Sequence, residues 1–169
     1  MSKAIIVYFS AEGTTAKVAK NLARQAELEC FEIKPQVPYT EADINWKNPL
    51  SRCNKEKFGK ADVPIAELPD LSGYDTVFIG FPIWYYGAPN IIGTFVKAFD
   101  WEGRRIALFA TSGGSDMGKT AEKLKPFFNG KGDIVAAKRF TPSVTKDDLK
   151  EWAEEVIRNS AFLIPNSEL

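Results

Sequence analysis

Three short segments hold the residues whose types and spacing suit ligand chemistry. The first, Ser10-Ala11-Glu12-Gly13-Thr14-Thr15, joins an apolar run to a segment with helical spacing. A helix N-terminus offers free backbone N–H groups and the positive end of its dipole to an anion. Gly13 lets the chain curl close, and the hydroxyls of Ser10, Thr14 and Thr15 add donors for phosphate oxygens. The same residues also suit plain capping, with Thr14 or Thr15 at the N-cap. The segment has no lysine, which excludes the G-x-x-x-x-G-K-[ST] loop of nucleotide hydrolases, and it lacks the dinucleotide pattern G-x-G-x-x-G. A monophosphate fits it best.

The second segment is Pro82-Ile83-Trp84-Tyr85-Tyr86-Gly87-Ala88-Pro89. Three consecutive aromatics in a loop suit stacking on a flat ring, or packing in a core or dimer patch. The third, Thr111-Ser112-Gly113-Gly114-Ser115-Asp116-Met117-Gly118, is small and hydroxylated. It suits close backbone approach to a polar ligand edge, or a capping turn built on Ser115 or Asp116.

Several classes are excluded by composition. The 169 residues contain no histidine, so Ser-His-Asp and Cys-His catalysis and imidazole zinc sites fall. Cys30 and Cys53 are the only cysteines, too few for a thiolate metal centre, and two free thiols are expected. Basic and acidic residues balance at 22 each, and neither half of the chain is polarised, which speaks against nucleic acid or an anionic membrane surface. Thr76 to Val96 is uncharged, but Gly80, Pro82, Gly87, Pro89 and Gly93 break it into a strand, a loop and a helix start. The N-terminus lacks a leader's apolar core, so a cytoplasmic location is expected.

Alternating elements must position these loops. Apolar runs at 4–9, 28–33, 76–81, 105–110 and 134–137 read as strands, the last an exposed edge beside Lys138 and Arg139. Helical spacing follows at Val18 to Ala26, Ile91 to Phe99, Met117 to Phe127 and Leu149 to Ile157. Pro126 should end or kink the third of these. Strands alternating with helices predict a parallel, doubly wound α/β sheet. Residues 35–74 stand apart: proline-rich, with at most a short helix near Ser51 to Phe58, and long enough to act as a lid or wall.

A strand followed by Ser10-x-x-Gly13-Thr14-Thr15 resembles the FMN-phosphate loop of flavodoxins, [ST]-x-T-G-x-T, with Glu12 replacing the middle threonine. A carboxylate facing a phosphate would be repelled, so Glu12 is expected to lend only its N–H. All three loops fall at the strands' carboxyl ends in flavodoxin order, and the resemblance covers essentially the whole chain. It implies a five-stranded sheet of order 2-1-3-4-5 with helices on both faces. Residues 1–169 then form one domain, with 35–74 as an irregular insert in place of the usual second helix. Phospho-receiver domains share that fold but need an acidic pocket, and here the ends of strands one and three read Phe9-Ser10 and Phe81-Pro82.

The resemblance further implies one non-covalent FMN. Its phosphate would be held by Ser10, Ala11, Glu12, Gly13, Thr14 and Thr15, and its ring by Pro82, Ile83, Trp84, Tyr85 and Gly87. Thr111, Ser112, Gly113 and Gly114 would meet its polar edge. The Tyr86–Gly87 peptide is the position for a carbonyl that turns toward the ring. No catalytic residue and no metal are implied. Electrons would pass to a redox partner protein or a small donor or acceptor, from a monomer or homodimer, with neither nucleic acid nor membrane as partner. An FMN-dependent NAD(P)H:quinone or small-acceptor reductase is the alternative, and a non-catalytic flavin-binding module a third. Carrier flavodoxins are usually strongly acidic, so a net charge of zero weighs against a pure carrier. Tyr39, Trp46 and Arg52 are expected either to wall the ring or receive a second substrate, or else Trp46 packs on the sheet and Arg52 pairs with Glu56.

Overall fold

The three most apolar runs form the middle of one parallel sheet. The computed structural model describes residues 3–167, with side chains described through Arg158. The strands are β1 (Ala4–Tyr8), β2 (Glu29–Glu32), β3 (Thr76–Pro82), β4 (Arg105–Thr111) and β5 (Asp133–Phe140). Their order is β2-β1-β3-β4-β5, and every pairing is parallel. A parallel sheet covered on both faces needs apolar side chains on both sides of its central strands, which is why β1 is buried throughout and β3 and β4 nearly so. The edges β2 and β5 are only half covered. β5 is longer than the apolar run predicted, because Lys138 and Arg139 continue its pairing, Lys138 exposed at the sheet edge and Arg139 turned back onto the Ser112 carbonyl after β4.

The connecting helices are α1 (Thr14–Ala26), α2 (Arg52–Gly59), α3 (Asn90–Lys97), α4 (Thr120–Leu124) and α5 (Lys146–Ser167). On one face α1 and α5 bury Val18, Leu22, Leu149 and Trp152 against Ile6, Phe78 and Phe109. On the other, α3 packs Ile91, Ile92, Phe95 and Val96 against Ile5, Val7, Ile79 and Leu108. Each of these buried side chains contributes roughly 1.5–3 kcal/mol relative to exposure. Gly80 leaves the space that the Phe109 ring fills, since a Cβ there would fall inside that ring. Pro126 ends α4 as its missing N–H requires, and Lys125–Phe128 continues as a 3-10 turn. The uncharged stretch from Thr76 to Val96 divides into β3, a turn and α3. Among the described residues no helix is long and apolar enough to cross a membrane.

The insert leaves and returns at the β2 edge. Pro35 bridges Ile65, with the N–H of Gln36 donating to the Pro64 carbonyl at 2.9 Å and that of Ala66 to Lys34 at 2.8 Å. Asn90 then anchors the end of α2, its amide donating to the carbonyls of Glu56 at 2.6 Å and Ala61 at 2.9 Å. Strand order reverses between β1 and β3, which opens a crevice at their carboxyl ends.

Candidate functional site

A cleft of about 640 Å³ occupies that crevice. Its first wall is the loop after β1. The Ser10 hydroxyl accepts the Gly13 N–H at 3.1 Å and folds the loop back on itself. Gly13 is the N-cap of α1 at φ 98°, a conformation open to glycine, and no side chain caps the helix. The first turn therefore keeps the N–H groups a cap would have taken, beside Thr14 and Thr15, which line the cleft. No acidic residue in that turn offsets the helix dipole, and the Glu12 side chain is exposed at the rim. Below, the hydroxyls of Thr15 and Thr111 lie 2.7 Å apart, both buried, joining the first loop to the end of β4.

The second wall is a four-residue turn. Trp84 and Gly87 exchange both backbone hydrogen bonds, N–H to carbonyl at 2.8 and 3.0 Å. Tyr85 at φ 52° and Tyr86 at φ 64° both take left-handed backbone, a primed turn built without glycine at either central position. Trp84 meets Phe9 and Tyr39 edge-on, with centroids 5.7 and 5.6 Å away. The Tyr85 hydroxyl donates to Asn54 Oδ1 and lies 3.4 Å from Cys53 Sγ. Burial and the neighbouring Cys53 thiol push the Tyr85 phenol above its usual range. Tyr86 is exposed, and its carbonyl, the one singled out as able to turn toward a ring, accepts from Lys123 Nζ at 3.1 Å.

The loop after β4 supplies the floor. Ser112 Oγ accepts the N–H groups of Gly114 at 3.2 Å and Ser115 at 2.7 Å, while Arg139 donates twice to the Ser112 carbonyl. Neither Ser115 nor Asp116 caps α4, which starts after Lys119.

The insert forms a further wall through Ile44, Trp46 and Cys53. Trp46 does not pack on the sheet: it is 66% exposed. Arg52 does pair with Glu56, Nε to Oε2 at 2.9 Å, and its guanidinium also lies 3.8 Å from the Tyr39 ring centroid and donates to the Val37 carbonyl at 2.7 Å. Tyr39 donates to Glu56 in turn, and burial together with that carboxylate pushes its phenol upward.

Twelve of the fifteen residues assigned to the cofactor from the sequence line this cleft: Ser10, Ala11, Glu12, Thr14, Thr15, Pro82, Ile83, Trp84, Tyr85, Thr111, Ser112 and Gly113. Gly13, Gly87 and Gly114 do not. A Cβ on Gly13 or Gly114 would meet open space, whereas Gly87 turns toward Lys57 and Lys123. Burial, with Lys123 nearby, lowers the Lys57 pKa. Ile44, Cys53 and Pro142 also line the cleft without belonging to any motif. Among the described residues no lysine or arginine lines it, and Glu12 is the one carboxylate that does. Among the described residues no cluster of metal-ligating side chains occurs. Both cysteines are free.

Comparisons with known proteins agree with this arrangement. A family model described as flavodoxin (Flavodoxin_4) matches residues 3–156. The crystal structure of a candidate flavoprotein from Bacteroides eggerthii is 35% identical with a TM-score of 0.84, covering 94% of this chain and 99% of the other. A second candidate flavoprotein, from Bacteroides uniformis, is 34% identical with a TM-score of 0.83, covering 90% and 98%. A Lactobacillus acidophilus flavoprotein solved in complex with FMN shares the fold at 21% identity and TM-score 0.62, covering 82% and 93%. No curated protein matches the chain. With the model spanning nearly all of the sequence and the sheet order, cleft and loops in place, the chain belongs to the flavodoxin family.

Proposed function

We propose that this chain is a redox protein that carries electrons through one non-covalently bound FMN. A single observation carries the reading: the uncapped N-terminus of α1, entered through left-handed Gly13, opens into the same cleft as the Trp84–Gly87 aromatic turn. The residues fit the group. A phosphate finds first-turn N–H groups, the Ser10 and Thr14 hydroxyls and the helix dipole, with no competing side-chain cap. A flat ring finds Trp84 and Tyr85, and its polar edge finds Thr111 to Gly113. A volume of about 640 Å³ also falls in the range of small-molecule sites, about 300–1,000 Å³.

FMN supplies the redox chemistry when bound, and the chain supplies binding, orientation and electrostatics. Thr15 and Thr111 hold the phosphate loop against β4, so the two ends of the site keep their spacing. Lys123 and Lys57, donating to the Tyr86 and Ala88 carbonyls, hold the aromatic turn from behind.

A second reading is a reductase that passes electrons to a small acceptor. The insert favours it, because Ile44, Trp46 and Cys53 enclose the cleft beyond what cofactor loops alone would provide. Loading the protein with FMN, reducing it anaerobically and mixing it with a protein or a small acceptor tests both readings. Reoxidation by either acceptor supports redox function, and the faster of the two selects between carrier and reductase. A loaded protein that exchanges electrons with neither would be a binding module only.

A further inference from the structure

One buried side chain joins two walls of the cleft without lining it. Asn54 lies within α2, 5% exposed, and is not among the residues that face the cleft. Its Nδ2 donates to the carbonyls of Trp46 at 2.9 Å and Asn48 at 2.7 Å, and its Oδ1 accepts the Tyr85 hydroxyl. A primary amide has two donor hydrogens and an acceptor oxygen, and here both sides are engaged. Aspartate lacks the donors, leucine lacks both, and glutamine is a methylene too long for a site so buried.

The two ends of that amide meet different needs. Residues 46–48 lie in a run of turns before α2, so their carbonyls have no strand or helix partners and the amide supplies them. Tyr85 and Tyr86 occupy left-handed backbone, φ 52° and 64°, which residues carrying a Cβ disfavour. The Trp84–Gly87 ladder closes the turn without orienting the Tyr85 side chain, whose ring lines the cleft. That ring meets Phe58 at 5.6 Å between centroids, and Phe58, 75% exposed, is a poor buttress. Cys53 Sγ lies 3.4 Å from the Tyr85 hydroxyl, but a thiol is a weak partner. The amide is the strong one.

We propose that Asn54 is a positioning residue for the cofactor ring. Through the Tyr85 hydroxyl it fixes the aromatic turn, and through the Trp46 and Asn48 carbonyls it fixes the insert wall opposite. The inference rests on the FMN reading above. Asn54 then controls the ring end of the site and leaves the phosphate end alone, because the loop before α1 is held separately by Ser10 and by the Thr15–Thr111 pair.

The test compares wild type, Asn54→Leu, Tyr85→Phe and the double variant. Each apoprotein is titrated with FMN and with riboflavin while visible absorption and flavin fluorescence are recorded. Tyr85→Phe keeps the aromatic face and removes only the hydroxyl, so its loss reports position and not stacking. Each single variant should weaken FMN and riboflavin by the same factor, roughly threefold to tenfold, as expected for one buried hydrogen bond. Both should shift the bound-flavin absorption band the same way, and the double variant should bind no more weakly than Asn54→Leu. Tyr85→Phe that binds as wild type does, or losses that add in the double variant, overturn the proposal. A lower melting temperature in Asn54→Leu with unchanged flavin affinity also overturns it, since an anchor of the insert alone would give that result. Loss of FMN without loss of riboflavin overturns it too, by moving Asn54 to the phosphate end. If Asn54→Leu does not fold, Tyr85→Phe against wild type decides alone. In all these outcomes wild type still binds FMN and that reading stands, whereas wild type that binds no flavin removes both.

Discussion

The hydroxyls of Thr15 and Thr111 meet 2.7 Å apart beneath the cleft, 96 positions apart in sequence. Each is the other's buried partner, so removing one strands the other. Thr15→Val and Thr111→Val should each cost about 1–3 kcal/mol, the desolvation penalty of an unsatisfied buried hydroxyl. The double variant should cost clearly less than the sum of the two. Urea denaturation of all four proteins measures the coupling, and strict additivity would show that the pair is not a unit.

Gly13 and Trp84 should separate the two ends of the site. Gly13→Val forces a β-branched residue to φ 98°, at roughly 1–2 kcal/mol or more of backbone strain, and disturbs the donors of the first turn. It should weaken FMN far more than riboflavin, because only FMN carries the anion. Trp84→Ala should weaken both ligands by about tenfold and relieve quenching of flavin fluorescence. Equal losses for the Gly13 variant, or none for Trp84→Ala, would contradict this placement.

Tyr86 occupies left-handed backbone at φ 64° with its side chain 78% exposed. Tyr86→Gly gives up little buried area and removes strain worth about 1–2 kcal/mol, partly offset by the entropy of glycine in the unfolded chain. The melting temperature should hold or rise. A clear fall would mean that the tyrosine contributes contacts which the strain argument omits.

Cys30 reaches the surface, but partial burial, with Glu32 adding and Lys20 opposing, pushes its thiol up to about 11. The folded state then holds this proton more tightly than the unfolded chain, whose thiol titrates near ~8.5. The stability it contributes is complete below that value and is lost as pH rises toward about 11. Iodoacetamide at pH 8.5 should label Cys30 well below the rate of free cysteine, and Cys53, buried, more slowly still. Cys30→Ala should flatten the loss of stability across that alkaline window. Labelling of Cys30 as fast as free cysteine at pH 8.5 would contradict the raised value.

The sheet was legible because Ala4–Tyr8, Val77–Phe81 and Ile106–Ala110 are apolar runs of strand length that alternate with segments of helical spacing, the pattern of buried parallel strands. The full length of β5 was not, since Lys138 and Arg139 broke the apolar run although both continue the pairing with β4, Arg139 bonding the Ser112 carbonyl. The phosphate-type loop was visible through Gly13, whose left-handed backbone is a property glycine advertises. The aromatic turn advertised the wrong residue. Gly87 drew attention, yet the positive φ angles belong to Tyr85 and Tyr86, held by tertiary bonds to Asn54 and Lys123. Asn54 carried no signal of its own, because its role depends on three groups supplied by two loops, the Trp46 and Asn48 carbonyls and the distant Tyr85 hydroxyl. Arg52 could be assigned to Glu56 from helical spacing, but nothing local decided whether Trp46 faced the sheet or the cleft.

The central claim is one FMN per chain, anchored by its phosphate at α1. Purified protein, reconstituted with a mixture of FMN, FAD and riboflavin and freed of excess ligand, should be denatured and the released flavin chromatographed. FMN should be recovered at one equivalent per chain, with the other two nearly absent. Recovery of FAD, equal recovery of riboflavin, or no flavin at all would contradict it.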